Sequence, residues 1–290
     1  MTQCSPLAVT KGVFAESAKV VFGGEGSEPG RFRRNYGVAV SADNEIFVTD
    51  FLNKRVQVFS MDGAFLRLFP TVVPGEEGLR IQPSDGAIDG DGHVWVVGFS
   101  GEVRIKTLRV VQYSKNGLPM TTFNVRRWVP FPGIAVDLRN NRIVVEVLTQ
   151  IFIFRPNGSV YRRFGTEQRL MISYVTADLE GNIIVTANAQ SSVHVYDSSG
   201  RWKFKFGGYG VGEGKLNRPK GICADRSGHI LVADWANGEI DMFTSRGEFV
   251  RTVVNITYPT GIALAPDGQL VVTKAHDNTV TIFSRPVFLT

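Results

Sequence analysis

Lysine and arginine residues of this sequence concentrate in six short segments that contain no acidic residue. The segments hold ten of the 32 basic residues within 35 of 290 positions, and uniform placement would put fewer than half as many there. The other 22 basic residues are outnumbered by 27 acidic ones, so the positive charge is local. A local basic surface favours an anionic ligand. The segments are 31–36, 80–84, 126–132, 169–173, 215–220 and 255–260, and their basic residues are Arg31, Arg33, Arg34, Arg80, Arg126, Arg127, Arg169, Lys215, Arg218 and Lys220.

Aromatic and amide side chains accompany this charge, both in the same segments and in the loops that follow the next apolar runs. Cations hold phosphates, flat rings stack on unpaired bases, and amides bond base edges. This combination favours single-stranded nucleic acid, although a basic patch also suits an acidic protein or an anionic membrane. The first group is Asn35, Tyr36, Trp128, Phe131, Tyr174, Asn217 and Tyr258; the second is Phe51, Asn53, Lys54, Arg55, Gln150, Gln190, Trp235, Asn237, His276 and Asn278.

An internal repeat indicates how the chain positions these residues. First strands of the type Gly-Ile-Ala-Val start at positions 37, 85, 133, 174, 221 and 261, which gives a period of about 45 residues. Each is followed by a second apolar strand, a third strand that ends in Phe or Tyr, and in most repeats a Gly-containing turn before a fourth. This pattern is typical of a β-propeller blade. The sequence therefore predicts an all-β, six-bladed propeller with four antiparallel strands per blade.

The sixth repeat lacks a fourth strand, and the N-terminal part of the chain contains a spare one. Lys19-Val-Val-Phe-Gly-Gly24 resembles Phe204-Lys-Phe-Gly-Gly208, which ends a fourth strand. We expect residues 18–23 to complete the last blade and close the ring, since closure removes exposed sheet edges. The alternative of two three-bladed domains lacks a Pro- or Ser-rich linker near the middle. The prediction is a tail or linker at 1–17 and a single propeller at 18–290.

The repeat resembles the NHL repeat over about residues 18–284. Gly30-Arg-Phe, Gly37-Val-Ala-Val, Val48-Thr-Asp and Asn53-Lys-Arg-Val-Gln-Val-Phe59 match its pattern, as do Gly214 to Asp225 and Ile230-Leu-Val-Ala-Asp234. Blades 2, 4 and 6 depart from it, because Gly98, Ala187 and Lys274 replace the acid that ends the second strand. The resemblance extends to the C-terminal domains of TRIM-NHL proteins. It implies a binding module for short single-stranded RNA on one loop face, within a larger post-transcriptional regulator or ubiquitin ligase whose ligase activity would lie outside this chain.

We predict an RNA surface on the face that carries both groups of loops. The alternative is a protein or peptide ligand on the same face, recruited as a ubiquitination substrate. Arg55 has a further interpretation, a stabilising pair with Asp50, and Trp235 could pack between blades. The predicted contacts are Arg31, Arg33, Arg34, Asn35, Tyr36, Asn53, Lys54, Arg55, Arg80, Arg126, Arg127, Trp128, Arg169, Tyr174, Arg218, Lys220, Trp235, Tyr258 and His276.

Catalytic and metal chemistry find little support in the sequence. Asp50, Glu146 and Asp234 end second strands in alternate blades and could form a cation-binding ring, but bonding to backbone amides is the favoured role. The four histidines show no metal-ligand spacing, and no Gly-x-Ser-x-Gly motif or P-loop occurs. Two cysteines cannot build a disulfide framework. We expect a non-catalytic, monomeric, cytoplasmic domain without cofactor, metal or membrane partner.

Overall fold

The computed structural model describes residues 19–101, 106–127, 132–165 and 170–283. Within these ranges the backbone forms six four-stranded antiparallel sheets, and each sheet is one blade of a closed ring. The predicted all-β, six-bladed propeller is confirmed. The described ranges contain no helix of the length and apolar character that a membrane crossing requires. The predicted tail at 1–17 lies outside the described residues.

Strands run from the centre of the ring to its rim in chain order within each blade. The first three blades are formed by β2 (Asn35–Val40), β3 (Ile46–Asp50), β4 (Arg55–Phe59) and β5 (Phe65–Pro70); β6 (Gln82–Ile88), β7 (Val94–Ser100), β8 (Thr107–Tyr113) and β9 (Pro119–Arg127); and β10 (Ile134–Asp137), β11 (Arg142–Val147), β12 (Gln150–Phe154) and β13 (Val160–Gly165).

The last three blades repeat this order, except that the outer strand of blade 6 comes from the beginning of the chain. They are formed by β14 (Ile172–Ala177), β15 (Ile183–Ala187), β16 (Ser192–Tyr196) and β17 (Trp202–Gly207); β18 (Pro219–Ala224), β19 (Ile230–Asp234), β20 (Glu239–Phe243) and β21 (Phe249–Asn255); and β22 (Ile262–Leu264), β23 (Leu270–Lys274), β24 (Thr279–Phe283) and β1 (Lys19–Gly23).

Ring closure by the N-terminal strand is confirmed. β1 pairs antiparallel with β24, with Lys19 opposite Phe283 and Gly23 opposite Thr279. The Phe22 ring packs 4.5 Å from the ring of Phe59, centroid to centroid, so β1 also joins blade 6 to blade 1. This pairing covers the edge of β24 that would otherwise be open.

Glycine at the start of the inner strands allows the blades to meet at the centre. A Cβ atom on Gly37 would lie 2.7 Å from the Cα atom of Asp85, and one on Gly261 would lie 2.5 Å from the carbonyl oxygen of Tyr36. Any larger residue would push neighbouring blades apart, because these contacts are to backbone. The small inner residues leave a central channel, which the first strands of all six blades line.

Aromatic residues fill the wider spaces further from the channel. The middle strands are almost wholly buried, and the third strands end in buried rings against which, in most blades, neighbouring rings pack. Phe69 lies 5.3 Å from Tyr113, and Phe206 lies 4.7 Å from Phe243. Each of these pairs joins one blade to the next, which accounts for the recurrence of Phe and Tyr at this point of the repeat.

Blade 2 departs from its neighbours, as its sequence indicates. Its middle strands β7 and β8 have seven residues each, where five or six are usual in this chain, so the insertion lengthens a hairpin. The outer strand β9 continues to Arg127. The prediction that the loop entering blade 3 begins at Arg126 is therefore wrong, because Arg126 and Arg127 still pair with Leu108 and Thr107.

The closing strand generates the first prediction. Phe22→Ala should lower the free energy of unfolding by about 2–3 kcal/mol, since it empties part of a packed aromatic contact between two blades. Val21→Ala on the same strand is the control and should cost less than about 0.5 kcal/mol, because Val21 faces solvent. Urea unfolding followed by tryptophan fluorescence measures both. Equal losses in the two variants would contradict the role of β1 in joining the blades.

Candidate functional site

The loops that enter the inner strands converge on a pocket at the mouth of the channel. Its volume is about 480 Å³, and all six blades line it. Each blade contributes the residue at or near the point where its inner strand begins; these residues are Tyr36, Ser84, Pro132, Ser173, Lys220 and Thr260. The loops between second and third strands reach the same pocket through residues that include Trp235 and His276. The predicted sharing of one face by the two loop types is thus confirmed.

Blades 5 and 6 supply a connected aromatic and cationic cluster at this mouth. The Lys220 ammonium nitrogen lies 4.5 Å from the centroid of the Trp235 ring. Trp235 packs 5.2 Å from Tyr258, and Tyr258 lies 5.7 Å from the imidazole of His276, centroid to centroid. Tyr258 and His276 are exposed, so flat surfaces next to a cation face solvent.

Blade 1 extends this cluster across the point where the ring closes. The Arg34 guanidinium donates a hydrogen bond of 3.1 Å to the hydroxyl of Tyr36, and both residues line the pocket. Tyr36 in turn meets Phe51 edge to face at 5.5 Å. Because blade 6 adjoins blade 1, the chemistry-bearing side chains of blades 5, 6 and 1 occupy one continuous side of the mouth.

A left-handed backbone turn sets the direction of three loop residues in this region. Arg34, Arg218 and Tyr258 have φ angles of 68°, 54° and 54°, and each stands three residues before the inner-strand glycine of its blade. This conformation is uncommon for residues other than glycine and costs about 1 kcal/mol or more. In blade 1 the turn is held by the Arg34 amide, which donates to the side-chain oxygen of Asn278 at 2.6 Å.

Lys220 is a cation without an anionic partner in the described part of the chain, where no salt bridge to it occurs. Its side chain is largely enclosed by the pocket, and this burial lowers the pKa of its ammonium group to about 8. The group remains mostly charged at neutral pH, but part of its hydration is removed. A partly desolvated cation in a pocket favours an anionic ligand.

The opposite side of the mouth carries an apolar patch, which the residue pattern of the sequence did not indicate. Leu148, Met171, Pro132 and Ala189 line it, and Met171 is 50% exposed. None of them has a charged or aromatic side chain, so their residue types gave no sign of a binding surface. Their common signal was position in the repeat, since each precedes or follows a strand at the mouth.

Three predicted contacts lie beneath the mouth and hold loops in place. We call these residues, Arg55, Asn35 and Asn53, the buried frame. Arg55 is buried, and its guanidinium bonds Asp50 at 2.8 Å and the carbonyl oxygens of Ser27, Glu28 and Arg31. Asn35 is fully buried, and its amide group donates to the carbonyl of Thr279 at 2.7 Å. Both side chains are therefore buried below the mouth and bonded to the backbone.

Asn53 belongs to the same frame. Its side-chain amide donates to Asp50 at 2.8 Å and to the carbonyl of Gly26 at 3.0 Å. These bonds fix the long loop between blade 6 and blade 1. The interpretation of Arg55 as a partner of Asp50 is confirmed, and Asn53 acts with it.

The remaining predicted contacts divide by position. Six line the pocket: Arg34, Tyr36, Tyr174, Lys220, Trp235 and His276. Tyr258 adjoins them through Trp235. Exposed on surrounding loops are Arg31, Arg33, Lys54, Arg80 and Arg218. Trp128 and Arg169 lie outside the described residues, as do the side chains of Arg126 and Arg127.

The acids that end second strands bond backbone amides of the entering loops. Asp50 accepts from the amide of Arg33 at 2.8 Å, Glu146 from that of Gly133 at 2.9 Å, and Asp234 from that of Asn217 at 2.9 Å. The interpretation of these acids as loop anchors is confirmed. The second carboxylate oxygen of Glu146 is buried and has no hydrogen-bond partner.

The two faces of the ring differ in charge. A second opening of about 650 Å³ lies at the other end of the channel and is lined by four acids, Asp89, Asp178, Asp225 and Asp267, together with Arg226. The basic and aromatic residues are found at the first mouth. An anionic ligand would therefore be attracted to one end of the channel only.

Comparisons with known proteins agree with this architecture. The NHL repeat family matches residues 37–59, which run from β2 to the end of β4 in blade 1, and residues 216–240, which run from the loop before β18 to the start of β20 in blade 5. The chain carries NHL repeats. Protein brain tumor of Drosophila melanogaster is 33% identical over 154 residues, which are 51% of this chain and 14% of that protein. E3 ubiquitin-protein ligase TRIM32 of Mus musculus is 25% identical over 293 residues, covering 90% of this chain and 43% of TRIM32. The chain spans less than half the length of either relative.

Solved structures share the fold at much lower identity. The structure of streptogramin B lyase aligns with a TM-score of 0.64 and 14% identity, over 91% of this chain and 97% of the lyase chain. At this identity the likeness concerns the fold alone. The site of this propeller must therefore be argued from its own residues.

The buried frame generates the second prediction. Arg55→Gln should lower the free energy of unfolding by about 3–5 kcal/mol, since it leaves the buried Asp50 carboxylate without its counter-charge. Arg33→Gln is the matched control and should change stability by less than about 0.5 kcal/mol, because only its backbone amide contacts Asp50. Urea unfolding compares the two. A near-neutral Arg55→Gln variant would show that Arg55 is not part of the frame.

Glu146 generates a prediction about pH. Burial, together with the nearby Asp85, raises the pKa of Glu146 well above its usual 4.5. The folded chain therefore keeps this proton where the unfolded chain releases it, so the contribution of Glu146 to stability falls as pH rises above 4.5. Glu146→Gln removes this loss. We expect the variant to be more stable than wild type by about 1–3 kcal/mol at pH 8 and by much less at pH 5.

The measurement is urea unfolding of both proteins at the two pH values. Glu77→Gln serves as the control, because Glu77 is exposed and its replacement should show no such pH dependence. A stability difference that is the same at pH 5 and pH 8 would contradict a raised pKa of Glu146.

Proposed function

We propose that this propeller is a non-catalytic module that binds single-stranded RNA at the mouth pocket. The observation that carries the proposal is the partly desolvated Lys220 against the face of Trp235, with exposed Tyr258 and His276 beside it. A phosphate needs a cation, and a base needs a flat surface. This side of the mouth offers both within one layer of side chains.

The residues of blades 5, 6 and 1 would have different roles in binding RNA. Lys220 and Arg34 would neutralise phosphates, while Tyr258 and Trp235 would provide stacking surfaces for successive bases. The exposed arginines on the surrounding loops would attract the strand from a distance without selecting its sequence. Selection of an RNA sequence would depend on the shape of the pocket and on the polar side chains that line it.

The relatives support the proposal only in part. They share NHL repeats with this chain, and TRIM32 carries the name of an E3 ubiquitin-protein ligase. We propose that this domain is the recognition part of a larger cytoplasmic protein, which is either a post-transcriptional regulator or a ubiquitin ligase. In that arrangement any ligase activity belongs to other domains, and the propeller selects the target.

A protein or peptide ligand is the second candidate. The apolar side of the mouth favours it, because Met171 is half exposed and lies in the same pocket as Leu148 and Pro132. A hydrophobic side chain of a peptide would fit there, with an acidic neighbour against Lys220. Such a ligand would use both sides of the mouth, whereas RNA would depend mainly on blades 5, 6 and 1.

Fluorescence anisotropy with a random pool of single-stranded RNA tests the proposal directly. The titrations are made at low and near-physiological salt, and the bound RNA is sequenced. Enriched motifs, with affinity that persists at physiological salt, are the expected result. Weak binding that disappears with salt and enriches no motif would indicate charge attraction alone. The peptide candidate would then be tested on the same face.

Site variants provide the fourth prediction. Trp235→Ala should weaken RNA binding by about 1–3 kcal/mol, because it removes a stacking surface. Lys220→Gln should weaken binding and reduce the salt slope by about 0.7 for each phosphate that is no longer neutralised. The double variant Arg33→Ala with Arg34→Ala should act in the same way as Lys220→Gln. Anisotropy at several salt concentrations measures affinity and slope.

The control for these variants is Arg226→Gln, which removes an exposed positive charge at the opposite mouth. It should leave affinity and salt slope unchanged. Melting temperatures of all variants identify any that are destabilised. If Arg226→Gln reduced binding as much as Lys220→Gln, RNA would not be bound at the proposed mouth.

A further inference from the structure

Blade 5 differs from blade 1 at the position of the buried arginine. In blade 1, Arg55 pairs opposite Asp50 across β3 and β4. In blade 5, Glu239 stands at this position, opposite Asp234 across β19 and β20. Two residues further along the third strand, Gln57 of blade 1 is replaced by Asp241. Where blade 1 has a carboxylate with a guanidinium, blade 5 has three carboxylates.

These three acids lie close together and are largely shielded from water. One carboxylate oxygen from each of Asp234, Glu239 and Asp241 lies within 4.8 Å of the others. Asp234 is 0% exposed and Asp241 is 1% exposed. One oxygen of Asp241 accepts from the Thr252 hydroxyl at 2.8 Å, but its other oxygen, Oδ2, is buried and has no hydrogen-bond partner. Buried like charges with an unpartnered oxygen are stabilised either by protonation or by a positive counter-charge.

Burial also raises the pKa of Asp234 to about 6 and that of Asp241 to about 7. Repulsion from Glu239 adds to both shifts, and bonds from Asn217 and Asn237 oppose the shift of Asp234. The cluster is therefore costly when ionised without a cation. A bound cation would remove this cost.

By analogy with blade 1, the loop that precedes blade 5 would offer backbone oxygens as well. Arg55 bonds the carbonyls of Ser27, Glu28 and Arg31 in the loop between blade 6 and blade 1. The loop between blades 4 and 5 has the same form: Glu25 bridges Phe32 in one, and Tyr209 bridges Leu216 in the other. The equivalent carbonyls in the second loop are those of Val211, Gly212 and Lys215.

The two loops are also anchored in the same way. Asn53 donates to the carbonyl of Gly26 at 3.0 Å, and Asn237 donates to that of Gly210 at 2.9 Å. The loop between blades 4 and 5 therefore keeps its form although no arginine stands behind it.

We propose that blade 5 binds a calcium ion at the place that the Arg55 guanidinium occupies in blade 1. The ligands would be carboxylate oxygens of Asp234, Glu239 and Asp241, completed by loop carbonyls. Calcium prefers such all-oxygen sets and accepts irregular geometry, whereas zinc prefers nitrogen and sulfur. The ion would tie the loop between blades 4 and 5 to β19 and β20. This proposal rests on the three acids of blade 5 and the loop between blades 4 and 5, and it is independent of the RNA proposal.

Thermal unfolding and equilibrium dialysis test the calcium site. After treatment with EDTA, addition of free calcium at about a hundredfold excess over Kd should raise the Tm by about 5 °C. Dialysis should find one calcium ion per chain. Asp241→Asn should abolish both effects. Glu213→Gln is the matched control, because Glu213 is an exposed acid on the same loop, and it should retain both.

Glu239→Arg provides a second variant that restores the residue type of blade 1. It should raise the Tm of the EDTA-treated protein and remove the response to calcium. Absence of bound calcium at millimolar concentration would overturn the proposal. An equal Tm shift with calcium, magnesium and sodium chloride of matched ionic strength would also overturn it, because the effect would then be charge screening.

Discussion

The close approach of the inner strands is the constraint on which the other features of this propeller depend. Gly37 and Gly261 lie against backbone atoms of neighbouring blades, so the centre of the ring has no room for a side chain at these points. The blades then diverge outward, and rings such as Phe69 and Tyr113 fill the widening gaps. With six blades the ring closes only when β1 completes the last sheet. Closure fixes the size of the mouth and brings six entering loops into one pocket.

Buried polar groups fix the positions of the loops that surround the mouth. The carboxylates of Asp50, Glu146 and Asp234 each hold the backbone of an entering loop, which leaves the side chains of that loop free to face the mouth. Cationic and aromatic groups therefore collect on blades 5, 6 and 1, while acids surround the far opening. The ring thus has one basic end and one acidic end. The blade 5 acids extend the same principle, because there the proposed calcium ion would take the place that the Arg55 guanidinium has in blade 1.

Most of the fold was predictable from the sequence, because the 45-residue period and the placement of Gly, Phe and Tyr follow from packing around a ring. The site was less predictable. Arg55 and Asn35 have the same chemistry as ligand contacts, and only strand register and burial show that they hold loops. Met171 carries no charge, and only its position next to the inner strand of blade 4 marked it. The blades that form the site could not be identified from the sequence either, because blade 6 lies beside blade 1 only after the ring closes.

Photochemical crosslinking of bound single-stranded RNA, followed by mass spectrometry of the crosslinked peptides, tests the central claim most directly. The account predicts crosslinks at Tyr36, Trp235 and Tyr258 around the mouth. Trp202 is the internal control, because its ring is exposed at the start of the outer strand β17 and is open to the same photochemistry. Crosslinks concentrated at Trp202, with none at the mouth, would contradict RNA binding at this pocket.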